Sequence, residues 1–186
     1  MDDDWVEVDA DSHAAADRTL AVEPPLLTEA EQQQRRDWFR HHLQEGVLFN
    51  RFCKLQIRQW DTDRVEFLLP YSDDLSAHIG VFHGGVICAL IDTCGSGAIM
   101  AGHDFNKGSR LTTVSLAVQY LSVAPGEDAV AVARCSRRGR TLHFSDVEVF
   151  GATSGKRLAS GQVTANVAGE RRGVPGVTLN GRSLDG

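Results

Sequence analysis

The chain has 186 residues, a length that suits one domain with a sizeable core. Hydrophobic residues make up 42% and charged residues 24%, the balance of a soluble globular protein. Nineteen Lys and Arg against 25 Asp and Glu leave a formal charge of −6, which argues against general nucleic-acid binding but not against a local basic patch for a phosphorylated ligand.

The first 27 residues are rich in Asp and Ala, lack periodicity and run into Pro24-Pro25, so they read as a disordered acidic arm. They carry no apolar leader. Cys53, Cys88, Cys94 and Cys135 form no Cys-x-x-Cys pair, so zinc ribbons and disulfide frameworks are excluded and a reduced, cytoplasmic setting is expected. Thr28 followed by Glu31 is a capping box that opens a helix over 28–45, stopped by Gly46. Cys53, Leu55 and Ile57 alternate with polar residues, the period of a half-buried strand, and Val65, Phe67 and Leu69 repeat it after the turn Asp61-Thr62-Asp63.

Residues 86–101, VICALIDTCGSGAIMA, are apolar or small on every side, the pattern of a helix buried all round. The segment is too short to span a membrane and carries Asp92, Gly95 and Gly97. Four further strands are expected at 110–121, 127–137, 140–150 and 156–167. Leu142 and Phe144 have one parity and Val147 and Val149 the other, which predicts a bulge near Ser145-Asp146. No helix separates these strands, so they are expected to be consecutive antiparallel neighbours. The glycine- and arginine-rich residues 169–186 read as a disordered tail, leaving 28–168 as the folded domain. The architecture is α+β, an antiparallel sheet wrapped around one helix.

Asp92 is the one ionisable carboxylate in that helix. Burying it unpaired would cost several kcal/mol or neutralise it. Three and four residues away lie Cys88, Ala89, Gly95 and Ser96, all small, so the acid faces either room for a ligand or a hydrogen-bonding strand. Upstream, His83-Gly84-Gly85 at the helix start leaves N–H groups at the positive end of the helix dipole, a place that stabilises an oxyanion or, alternatively, a turn chosen for its dihedrals. About 13–14 Å of helix rise separates residues 83 and 92. Both groups can serve one thioester only if they come from different copies of the chain, so a homodimer is expected.

Gly80, His83, Gly84, Gly85 and Asp92, with TTVSLAVQYLSVAPGE, CSRRGRTLHFSDVEVF and GKRLASGQVTANV, resemble the hotdog-fold acyl-CoA thioesterases, in the branch that includes the phenylacetic-acid-pathway enzyme. The resemblance covers residues 50–168. It implies a curved antiparallel sheet around a long central helix, dimers with shared sites, often tetramers, and an acyl-CoA substrate. Asp92 then looks like the general base or nucleophile, Gly84 the amide donor to the thioester oxygen with His83 beside it, and Thr113 the hydroxyl near the carboxylate. Relatives commonly carry Asn six residues before the His; here Ala77 stands there, followed by His78. That departure leaves open slower turnover, a role for His78, or binding without catalysis. Gly85, His78 and the basic cluster Arg137, Arg138 and Arg140 are candidate substrate and coenzyme A contacts, guanidinium groups being suited to phosphates.

Other chemistries lack their parts. Gly95-Ser-Gly97 has Met100 where a dinucleotide fingerprint needs its third glycine, 151–156 is one residue short of a P-loop, and no Gly-x-Ser-x-Gly elbow occurs. Helical cysteines are usually inert packing, and the histidines lack metal-ligand spacing, so no metal or cofactor is expected beyond coenzyme A in the substrate. A hotdog hydratase would need an Asp/His arrangement not found here. Phe82 and Phe105 suit either the acyl pocket or the core.

Overall fold

In the computed structural model, which describes residues 25–176 and the backbone of 178–179 and 182–183, the expected capping box opens the first helix. The Thr28 hydroxyl accepts the Glu31 N–H, and the Glu31 carboxylate accepts the Thr28 N–H at 2.7 Å, so α1 runs Glu29–His41. A wider helical turn at His42–Gly46 follows, then a short helix α2, Leu48–Phe52. Lys54, at φ 56°, ends α2 in the left-handed region, so the strand expected from residue 53 starts later, as β1, Gln56–Asp61. Cys53, Leu55 and Ile57 are nonetheless all buried.

A hairpin joins β1 to β2, Arg64–Leu69, with Asp63 at φ 62° in its turn. The small ribbon β3, Ser76–His78, and β4, Val81–Phe82, leads into α3, Gly84–Ala101. Strands β5 Leu111–Tyr120, β6 Ala129–Arg138, β7 Leu142–Gly151 and β8 Arg157–Val167 follow, and the pairs 178–179 and 182–183 form a final ribbon, β9 and β10. The main sheet is antiparallel with order β1-β2-β6-β7-β8-β5. Consecutive pairing therefore holds for β6, β7 and β8 but not for β5, which pairs with β8 and ends the sheet. The connection from β5 to β6 crosses past two strands, a route that parity alone cannot reveal.

The sheet wraps α3. Ile87, Leu90, Ile91, Cys94 and Ala98 pack in one core with Phe67, Leu69, Val147, Val149 and Val163. Each large apolar side chain so buried contributes about 1.5–3 kcal/mol. A second cluster gathers Ile99 and Met100 with Phe39 of α1, Phe105, Val167 and Val174.

Three expectations change here. The bulge placed in β7 lies elsewhere, because His143, Ser145, Val147 and Val149 all face inward and β7 keeps one parity through its buried half. Polar residues at two core positions disguised that alternation. The register instead slips in β5 between Thr113 and Ser115 and in β6 between Cys135 and Arg137. The small residues beyond Asp92 are not hollow: a Cβ on Gly95 would lie 2.6 Å from Val163 Cγ2 and 2.7 Å from Ser145 Oγ, so glycine there lets the sheet close onto the helix. Gly95→Val should accordingly cost about 1–3 kcal/mol by overpacking, read as a lower urea midpoint at unchanged m-value. Finally, packed chain continues past 168. Ser109 N–H donates to Gly169 O at 2.8 Å, Arg171 lies over the Trp38 ring and Val174 is fully buried, so 169–176 are held against α1. The arm at 1–24 lies outside the described residues.

Candidate active site

The start of α3 is set by His83. Its backbone is extended, at φ −63° and ψ 132°, and its ring Nδ1 accepts the Gly85 N–H at 2.9 Å, an N-cap made by imidazole. Accepting at Nδ1 leaves the proton of the neutral ring on Nε2. The His83 carbonyl takes the Val86 N–H at 2.9 Å and the Ile87 N–H at 3.3 Å. Of the first-turn amides, the Gly84 N–H alone has no partner among the described residues. It sits at the positive end of an 18-residue helix, where an oxyanion is favoured.

Two turns along, Asp92 is half-buried, and its Oδ1 accepts the Thr113 hydroxyl at 2.8 Å. Oδ2 has no partner among the described residues, so one carboxylate oxygen is held and the other is available to a water or substrate atom. Next to it the Thr93 hydroxyl donates to Asn50, whose amide donates to Leu43 O at 2.7 Å, tying α2 beside this stretch of α3. Phe49, Cys53, Leu69, Val86, Ala89 and Thr93 line a narrow apolar pocket there. A wider apolar groove opens at the Gly84 end, lined by Val81, Ile87, Tyr120, Val123 and Leu158.

The slip in β5 decides which of its side chains meet the helix. Thr113 lies on the helix-facing side before it and Leu116 and Val118 after it. Tyr120 follows that second parity, and its hydroxyl donates to Gly84 O at 2.7 Å. Thr113 and Tyr120, seven residues apart, thus both reach α3. Reading the sequence by alternation puts them on opposite faces, which is why Tyr120 escaped notice.

The remaining candidates divide. His78 and Ala77 are exposed on β3, in the ribbon that turns at Gly80, φ 84°. Gly85 is occupied by the His83 cap. Arg137 is exposed and lies over the Phe144 ring at 6.0 Å, and Arg140 is exposed at the hairpin. Arg138 is not available to a phosphate: its guanidinium pairs with Asp63 and donates to the Ala98 and Ile99 carbonyls at the end of α3, where a cation offsets the negative end of the dipole. Phe82 and Phe105 are both core residues, Phe82 edge to face with Tyr71 and Phe105 stacked with Phe39. Burial pushes the Cys94 thiol far up, and burial together with the Asp92 charge raises that of Cys88, so neither is a thiolate nucleophile.

A long helix enclosed by a curved antiparallel sheet, with a hydrogen-bonded carboxylate at mid-length and an open amide at its start, makes this a hotdog-fold protein. The structure of a thioesterase family protein from Silicibacter pomeroyi is similar at a TM-score of 0.64 and 22% identity, over 74% of this chain and 98% of that one. The PaaI protein from the E. coli phenylacetic acid degradation operon is similar at 0.64 and 16%, over 73% and 94%. At these identities the likeness speaks for the fold. Residues 79–157, from before α3 to the first residue of β8, match the family model of the thioesterase superfamily. Acyl-coenzyme A thioesterase 13 of Mus musculus, like that of Homo sapiens, is 31% identical over 90 residues, covering 48% of this chain. The matched stretch spans 62% of those relatives' own length.

Proposed function

We propose that the protein hydrolyses acyl-CoA thioesters to free acid and coenzyme A, at two sites shared across a homodimer. The observation that carries this reading is the pairing, on one helix, of a carboxylate with one oxygen held by Thr113 and a Gly84 amide with no partner among the described residues. The two lie eight residues apart, about 12 Å of helix rise, so each site takes Asp92 from one copy and Gly84 from the other. Support for a second copy comes from β5. It ends the sheet with its outer edge unpaired among the described residues, and Val114, Tyr120, Leu121 and Val123 on and after it are exposed. Further pairing of two such dimers would give a tetramer.

In the reaction, the thioester oxygen accepts the Gly84 N–H, and His83 Nε2–H lies on the same helix end. In one route Asp92 Oδ2 takes a proton from water as the water oxygen bonds to the carbonyl carbon, the C–S bond breaks and the coenzyme A sulfur takes up that proton. In the other, Asp92 attacks the carbon itself, the C–S bond breaks to leave an acyl–Asp92 anhydride and a thiolate, and water then opens the anhydride, its oxygen going to the free acid and its proton to the sulfur. Charge collecting on the oxygen is met by the amide and the helix dipole, so stabilisation grows toward the transition state. No metal or separate cofactor enters. Arg137 and Arg140 supply exposed cations for the phosphates of coenzyme A. Four free cysteines agree with a reduced cytoplasmic setting.

The test is release of free thiol from a panel of short, long and aromatic acyl-CoAs. Turnover of at least one class is expected. Calorimetric binding with no thiol release would instead establish an acyl-CoA-binding protein, the reading favoured by Ala77 where relatives carry Asn. Thr113→Ala, which frees Asp92 Oδ1, is expected to lower kcat about tenfold, the worth of one hydrogen bond to a charged group, while circular dichroism stays unchanged.

A further inference from the structure

Tyr120 bonds to the carbonyl of the Gly84–Gly85 peptide, the one that follows the open Gly84 amide. Its hydroxyl donates to Gly84 O at 2.7 Å, and its ring lies flush against the glycine: a Cβ on Gly84 would come 3.4 Å from Tyr120 Cζ. On the other side the His83 ring holds the Gly85 N–H. The peptide that carries the Gly84 N–H is held at its own carbonyl, that of His83, by the Val86 and Ile87 amides. The glycine peptide after it is where dihedral freedom remains, and these two side-chain contacts take it up, so that the amide is aimed in advance at a developing oxyanion. Tyr120 and Thr113 stand on one strand, so β5 holds α3 at both of its chemical points, the carboxylate and the amide. Burial raises the Tyr120 hydroxyl above its ordinary value, with the nearby Cys88 adding in the same direction, so it stays a proton donor throughout the neutral range.

We infer that Tyr120 is a positioning residue: its hydroxyl fixes the Gly84–Gly85 peptide and thereby the direction in which the Gly84 N–H points. The inference rests on the hydrolase reading for its kinetic consequence but not for its structural one. Removing an oxyanion donor outright costs about 10²–10³ in kcat, and losing only its orientation costs a fraction of that.

Tyr120→Phe keeps the ring against Gly84 and deletes the hydroxyl alone. In the full chain it is expected to lower kcat about tenfold with KM within twofold of the parent, and to add little further loss on a Gly84→Ala background. Amide NMR of the same variant is expected to show altered Gly84 and Gly85 signals and faster Gly84 exchange, with the rest of the spectrum retained. An unchanged kcat, or unchanged Gly84 and Gly85 signals, would overturn the inference. If the parent releases no thiol from any acyl-CoA, the hydrolase reading falls, and the NMR result alone then decides whether Tyr120 holds the glycine peptide.

Discussion

Asp92→Asn is expected to lower kcat for thioester hydrolysis by about 10²–10⁴, the usual contribution of a positioned general base. The substitution keeps the shape of the side chain, and its amide oxygen can still accept the Thr113 hydroxyl that Asp92 Oδ1 accepts at 2.8 Å. What it removes is the second oxygen's ability to take a proton or attack a carbonyl. Binding of the substrate therefore changes little, and the loss falls on kcat and on kcat/KM alike. Steady-state kinetics on both proteins, with gel filtration to show an unaltered assembly, decide the matter. Turnover within twofold of the parent would remove Asp92 from the mechanism and with it the mid-helix carboxylate as the chemical centre.

The second large effect is a loss of stability in acid. His103 is 1% exposed, and its pKa is lowered from 6.5 to about 4. Burial is the main cause; the nearby His143 and Arg138 add to it, while the hydrogen bond to Gly108 O opposes it. The folded state thus favours neutral imidazole. As pH falls below 6.5 the unfolded chain takes up a proton that the folded chain refuses until about pH 4. Stability from this group is therefore constant above pH 6.5, declines between there and pH 4, and levels off below, by about 3 kcal/mol in all. His143, also 1% exposed and lowered mainly by burial, shifts the balance in the same direction. Urea unfolding at pH 7 and pH 4.5 reads the decline, and His103→Gln, which retains a donor without a titrating ring, should flatten it. A parent profile already flat over that range would contradict the assignment.

The two histidines also show where reading the chain as a string reached its limit. Seven segments announced themselves within a few residues of their observed bounds: the first helix by its capping box, and the all-round apolar helix and five of the six strands of the main sheet by apolar pattern. The sixth, β1, was displaced by the left-handed turn at Lys54. The misplaced bulge in β7 has a single cause. His143 and Ser145 point into the core, and a rule that equates inward with apolar must invent a kink to keep them out.

By itself the sequence determined the class of fold, the buried helix, the capping box and the pairing of a mid-helix acid with a glycine turn, because these rest on local periodicity and on the few residues that tolerate such positions. Tertiary structure decided the rest. It placed Thr113 on Asp92 and Tyr120 on Gly84 through a slip in β5, filled the space at Gly95 with Val163 and Ser145, and turned Arg138 from a candidate phosphate contact into the cap of α3. The reason is geometric: a one-residue slip reverses which side chains face the helix, and a guanidinium finds its partners across the fold, in this case Asp63, 75 residues away.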